Sequence, residues 1–171
     1  MRENKRLFNL LETHVQGEVM TKPAARARYA TDASIYQMVP EAVVLPKNEA
    51  DIEAVLEIAR EEGTPILPRG GGTSQCGQTV NQAVVLDNTT HLNKIIEIDT
   101  ENLSAKVQPG VVLDELNRAL KPHGLWFPVD PSTASRCTLG GMAANNSSGG
   151  KSQRYGIMRD NVRGISAIMP D

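Results

Sequence analysis

The sequence predicts an α+β fold of two α/β lobes, a small lobe built on a parallel βαβ unit and a larger lobe with an antiparallel sheet, covering about residues 1–78 and 79–171. Three observations carry this reading. Two apolar runs, Ala42–Leu45 and Ile66–Leu67, flank a pattern of helical period; several short strand-like runs follow residue 80; and each lobe holds a glycine-rich segment near the expected junction.

Leu7, Leu10, Leu11 and Val15 recur at helical spacing and predict an opening helix over 6–15, whereas Thr21–Pro40 shows no clear period and reads as a path over the surface. Ala42-Val43-Val44-Leu45 is unbroken apolar sequence closed by Pro46, as expected of a strand covered on both faces. Asn48 is a candidate N-cap with Asp51 three residues on, and Ile52, Val55, Leu56 and Ala59 repeat at i, i+3, i+4, i+7 until Gly63. Glu53, Glu57, Arg60, Glu61 and Glu62 are the solvated face of that helix. The strands at 42–45 and 66–67 are therefore expected to lie parallel, joined by a right-handed crossover. The following glycines would then leave the carboxyl end of a parallel strand, where open α/β sheets bind ligands.

Ala83–Asp87, Ile95–Ile98 and Leu103–Val107 read as short strands of an antiparallel sheet, the last two joined by the turn Asp99–Asn102. Pro109-Gly110 leads into a helix with Leu113, Leu116 and Leu120 on one stripe, stopped by Pro122 and Gly124. Val162–Ile168 reads as a last strand, and the sequence stops directly after it at Met169-Pro170-Asp171, so the chain is expected to be the front part of something longer.

The 171 residues carry 18 Lys and Arg against 20 Asp and Glu, with no basic block or aromatic ladder, so nucleic acid is not an expected partner. No secretory h-region or bilayer-spanning apolar run is visible, and the expected location is cytoplasmic, or peripheral to the inner membrane in a parent protein. Cys76 and Cys137 form no CxxC pair, and His14, His91 and His123 are scattered, so no metal site is expected.

The chemistry lies in the glycines. Pro68-Arg69-Gly70-Gly71-Gly72-Thr73-Ser74 places three consecutive glycines behind a strand, where main-chain N–H groups can turn inward around an anion. Alone, such a triplet is as well explained by a tight surface turn. A second segment, Asp130-Pro131-Ser132-Thr133-Ala134-Ser135 with Thr138-Leu139-Gly140-Gly141-Met142-Ala143-Ala144-Asn145-Asn146-Ser147-Ser148-Gly149-Gly150, favours one extended phosphate-bearing ligand gripped at more than one point. A dinucleotide fingerprint GxGxxG from Gly70 fails at Gln75, and a Walker A loop ending at Gly150-Lys151-Ser152 fails at Asn145.

These segments, with Arg154-Tyr155-Gly156 and Asp160-Asn161-Val162, resemble the FAD-binding domain of the p-cresol methylhydroxylase/vanillyl-alcohol oxidase superfamily, over about residues 25–171. The branch most resembled contains FAD-linked D-lactate and D-2-hydroxyacid dehydrogenases. The resemblance implies FAD between the two lobes. The backbone of Arg69, Gly70, Gly71, Gly72, Thr73 and Ser74 would wrap the pyrophosphate with help from the Thr73 and Ser74 hydroxyls, and Gln75 and Gly77 would complete that loop. Pro131, Ser132, Thr133, Ser135, Thr138, Gly140, Gly141, Ala144, Asn145, Ser148, Gly149 and Gly150 would line the rest of the cofactor, with Ile165 on the last strand near the adenine. Members that tether the flavin place histidine just after the glycines; Thr73 stands there, implying non-covalent FAD.

The implied activity is oxidation of a 2-hydroxy acid such as D-lactate, a small-molecule substrate, with electrons passed to an unidentified acceptor. Substrate-binding and catalytic residues would belong to a C-terminal substrate domain of the same parent protein, so none is named in this chain. Two alternatives stay open: a non-catalytic nucleotide-binding module, and an FAD-dependent oxidase of another alcohol or an aldonolactone. Side chains near the motifs have plainer readings too. Arg69 suits a phosphate or a surface carboxylate equally. Tyr155, Trp126 and Phe127 read as packing residues, and His123 as part of a helix stop.

Overall fold

The computed structural model describes residues 4–169, which fall into two compact units, one holding the chain up to His91 and a short return from Ala167, the other Leu92–Ser166. The closing Pro170 and Asp171 lie outside the described residues. No helix among the described residues is long and apolar enough to cross a membrane.

In the first unit the order is α1 (Lys5–His14), β1 (Glu18–Met20), α2 (Pro23–Ala27), β2 (Ala42–Leu45), α3 (Glu49–Glu61), β3 (Ile66–Arg69) and β4 (Val84–Asp87). The strands form one sheet in the order β1-β2-β4-β3, with β1 antiparallel to β2 and both β2 and β3 parallel to β4. The expected strand–helix–strand unit is therefore present, but its two strands are not neighbours. β4 lies between them, although Ala83–Asp87 was expected in the antiparallel sheet of the second lobe, and the first unit accordingly runs to His91 instead of about residue 78. Burial explains the insertion. All four residues of β2 and of β4 are buried, which suits central strands, while β3 carries Pro68, which has no N–H for a second ladder and so belongs at an edge.

The two faces of this sheet alternate as a period of two requires. Ala42, Val44, Val84 and Leu86 pack under α1 and α3 against Leu7, Phe8, Leu11, Val15, Val55 and Ile58, whereas Val43, Leu45 and Val85 meet Met20, Tyr29 and Leu67 on the other face. Asn48 caps α3 as expected, its side chain accepting from Asp51 N at 3.0 Å. Asp51, buried in the first turn of α3, accepts from Gln16 N and Lys47 N, both at 2.8 Å, and so ties the ends of α1 and β2 to that helix. Thr21–Pro40 is more than a surface path: it contributes α2 and buries Arg26 and Ala30.

The second unit holds β5 (Ile95–Asp99), β6 (Ser104–Val107), α4 (Leu113–Leu120), α5 (Leu139–Ala144), α6 (Ser152–Tyr155) and α7 (Met158–Asn161). β5 and β6 form the expected antiparallel hairpin. Asp99 closes its turn by accepting from Glu101 N, Asn102 N and Asn102 Nδ2, which, with little contribution from burial, holds its carboxyl below the usual range. Leu113, Leu116 and Leu120 are buried on one stripe of α4, as their spacing predicts, against Val129, Leu139, Met142 and Met158. A 3-10 turn over Lys121–His123 extends α4 through Pro122, and Gly124, at φ +69°, ends it. Val162–Ile168 forms no strand, contrary to expectation, since it pairs with none of the described strands and its backbone has no ladder partner among them.

Asp51→Ala is expected to take the charged acceptor from two part-buried N–H groups, Gln16 and Lys47, at about 1–3 kcal/mol in all. Urea denaturation should show a lowered midpoint with an unchanged slope.

Candidate functional site

β3 delivers the first glycine segment. Its last residue, Arg69, pairs in register with Asp87, and Asn88 N donates to Arg69 O at 3.2 Å, so Gly70 leaves the sheet at the carboxyl ends of two parallel strands. No main-chain N–H from Gly70 to Gln75 finds a protein acceptor among the described residues, and the Thr73 hydroxyl has none either. Such a run of uncommitted donors, on a loop kept narrow by glycine, is the donor set of an anion cradle. Ser74 differs from expectation: its hydroxyl donates to Gln78 Oε1 and accepts from Cys76 N and Gln78 N, a local turn that occupies it.

Two glycines here are required by geometry. Gly72 has φ +64°, and a Cβ on it would stand 2.6 Å from Arg69 Nη2; Gly77 has φ +78°, and its Cβ would stand 2.5 Å from the Tyr36 ring. The loop is thus pressed onto its supports. Arg69 pairs with no carboxylate among the described residues. Its guanidinium donates to three carbonyls, Thr79 O and Thr31 O at 2.8 Å and Tyr29 O at 3.3 Å, and lies 5.4 Å over the Tyr29 ring.

The supporting residues Tyr29, Thr31, Asp32, Tyr36 and Thr79 were not singled out from the sequence. Burial, followed by a hydrogen bond donated to Asp87 Oδ2 at 2.8 Å, pushes the Tyr29 hydroxyl well above its usual range. Asp32 accepts from Ser34 N at 2.8 Å, Thr79 Oγ1 at 2.9 Å and Thr79 N at 3.4 Å. Partial burial works to raise its carboxyl, but these bonds outweigh it and hold the group below the usual carboxylate range. The one sequence signal was the Asp-Ala-Ser order at 32–34, which suits an Asx turn.

The second segment is built differently. Pro131–Ser135 is a turn in which Ala134 N donates to Pro131 O, and Arg136 N and Cys137 N donate to Thr133 O. The N–H groups of Ser132, Thr133 and Ser135 have no protein acceptor among the described residues. Thr138–Gly150, read from sequence as a loop, begins instead with α5. Thr138 caps it, and its first turn is spent inside the protein: Leu139 N on Val111 O, Gly140 N on Pro109 O, Gly141 N on Thr138 Oγ1. Gly140 lets the helix approach Pro109, whose Cβ would lie 2.6 Å from an added methyl, and Gly149 lies against the Asp130 carbonyl. Asp130 also accepts from Lys151 N at 2.9 Å, while Gly149 N donates to Ser152 Oγ. Gly140 and Gly149 are explained by close packing within the unit, leaving Ser148 N and Gly150 N without a protein acceptor among the described residues, beside exposed Ala144 and Asn145.

Two further expectations change. Ile165 is on no strand and is 70% exposed. Tyr155 and Trp126 are not core; they meet edge to face at 5.2 Å on the surface, with Lys151 Nζ 4.6 Å over the indole. Cys137 is buried, which pushes its thiol up, so it stays protonated near neutrality and is a poor nucleophile.

Gly72→Ala should cost about 1–3 kcal/mol, since an alanine must hold φ +64° against the guanidinium; chemical denaturation measures this. Asp32, with its carboxyl depressed in the fold, contributes stability that is present above about pH 4 and lost as pH falls through its folded value. Amide exchange at Thr79 should accelerate in that acid range in the native chain, whereas Asp32→Asn should remove the acid dependence.

Comparison with known proteins agrees with this geometry. A family model described as an FAD binding domain matches residues 40–171. A D-2-hydroxyglutarate dehydrogenase of Pantoea ananatis is 41% identical over 172 residues, covering 96% of this chain and 17% of that protein. A mitochondrial D-lactate dehydrogenase (cytochrome) of Kluyveromyces lactis is 40% identical over 136 residues, covering 77% of this chain and 23% of that protein. The chain thus spans less than a quarter of the length of either relative. Among solved structures, an alkyldihydroxyacetonephosphate synthase superposes with a TM-score of 0.82 at 24% identity, covering 93% of this chain and 32% of that one, which shows the fold. The family model matches more than half of the chain, and the chain belongs to the FAD-binding domain family.

Proposed function

We propose that this chain is the FAD-binding portion of a flavin-dependent oxidoreductase that oxidises a 2-hydroxy acid, D-lactate or D-2-hydroxyglutarate by the names of its relatives, and passes the electrons to a further acceptor. The observation that carries the reading is the run of N–H groups from Gly70 to Gln75 with no protein acceptor among the described residues. A diphosphate taken from water must be met by donors, and this loop offers consecutive ones at the carboxyl ends of two parallel strands. The residues present fit the group. Gly70–Gln75 and the Thr73 hydroxyl would hold the diphosphate; within the second unit, the N–H groups of Ser132, Thr133, Ser135, Ser148 and Gly150 are also without a protein acceptor among the described residues.

When bound, FAD supplies the redox chemistry. The chain binds and orients it, and the attachment is non-covalent, because Thr73 offers no nucleophile suited to tethering and Cys137 is buried and protonated. Substrate-clamping and proton-accepting groups come, in this reading, from a further domain of a longer parent, in keeping with the greater length of the relatives.

FAD added to the purified chain is expected to raise its Tm, by an amount equivalent to about 2.7 kcal/mol at a hundredfold excess over Kd. Acid precipitation should then release all flavin into the supernatant. No thermal protection and no quenching of flavin fluorescence would overturn the reading; flavin retained in the acid pellet would overturn the non-covalent attachment. The chain by itself is expected not to oxidise D-lactate or D-2-hydroxyglutarate, and dye-linked turnover by it would place catalytic groups within these residues.

A further inference from the structure

In the first unit, one charged side chain beside the glycine loop spends three N–H donors on main-chain carbonyls. We infer that Arg69 is a positioning residue for the cofactor loop, fixing the conformation of Gly70–Gln75 through main-chain carbonyls without touching the diphosphate; the inference rests on the reading of this loop as the diphosphate site.

The three acceptors come from both sides of the loop in sequence. Thr79 O follows it, while Tyr29 O and Thr31 O lie about forty residues upstream, so a single guanidinium ties the loop's exit to a distant strand-like segment. That segment in turn holds the loop, with Ala33 N donating to Gly72 O at 3.1 Å and the Asp32 carboxylate accepting from Thr79. Nη1 donates to two carbonyls and Nη2 to a third, and the Nη2 edge also lies against Gly72. One flat face rests on Tyr29, whose own hydroxyl is bonded to Asp87 at the end of β4. The chain of contacts therefore runs from the sheet through Tyr29 and Arg69 to the glycines. Three of the five guanidinium N–H donors are spent on these carbonyls, and moving the group off them would withdraw the support of Gly72 as well.

The shape of the group matters here as much as its charge. A lysine carries its charge on one nitrogen and cannot fork to three carbonyls while lying flat on a ring. Arg69→Lys and Arg69→Met should therefore behave alike, whereas a direct phosphate contact would let lysine keep most of the affinity.

The test uses the purified chain with two readouts. Without FAD, amide exchange at Ala33 and Thr79, both bonded within this support, should rise about tenfold or more in each variant, with Val85 in the sheet core unchanged as the control for folding. FAD affinity, read by quenching of flavin fluorescence, should weaken about tenfold or more and equally in both. Tyr29→Leu, which removes the ring while leaving every charge in place, should weaken FAD binding in the same direction. Lysine binding within about twofold of the native chain, or unaltered exchange at Ala33 and Thr79 together with lost affinity, would overturn the inference. So would unchanged FAD affinity in Tyr29→Leu. Should the native chain itself fail to bind FAD, the reading of the loop falls, while the exchange measurement still decides whether Arg69 supports it.

Discussion

The covering of β4 on both faces is the constraint from which the rest of the first unit follows. Val84, Val85, Leu86 and Asp87 are all buried, so this strand takes the centre of the sheet between β2 and β3 and accepts a parallel partner on each side. β3, with Pro68 unable to donate, is left at the edge. That edge position releases the chain at Arg69 with its next main-chain donors unpaired by any further strand. The glycine loop is in this sense a consequence of where the sheet stops.

A loop with unspent donors has no ladder to shape it, and its conformation must come from elsewhere. Here it comes from side chains acting on backbone: Arg69 on three carbonyls, Asp32 on Thr79, the Tyr36 ring on Gly77. Glycine is needed at 72 and 77 for the sign of φ and for the room taken up by these supports. The second unit uses glycine for a different end. Gly140 and Gly149 bring backbone close to Pro109 and Asp130, and the first turn of α5 is fully bonded inside the protein. Glycine thus does unlike physical work in two segments alike in composition, opening a run of donors in the first and closing packing gaps in the second.

Much of the fold was legible because its signals are local. The opening helix, the Asn48 cap, the run Ala42–Leu45, the Asp99 turn and the leucine stripe of α4 each follow from a few residues read at a fixed period. The neighbourhood of β4 was not, since an apolar run of four states that both faces are covered but not by which strands. α5 was hidden by two glycines, residues that weaken helices unless packing compensates, though Thr138 was a visible cap. Val162–Ile168 had the composition of a strand without a described partner to make it one.

By itself the sequence determined α1, β2, α3, the β5–β6 hairpin and α4, the place of the glycine triplet behind a parallel strand and, through the ordered motifs, membership of the FAD-binding domain family. Only the tertiary structure decided that Arg69 serves carbonyls, that Tyr29, Asp32 and Tyr36 support a loop forty residues away, and that Gly140 is a packing glycine. The reason is physical. Periodicity and turn chemistry act between neighbours in the chain, whereas the partner of a side-chain donor depends on which distant backbone the fold brings within hydrogen-bond reach.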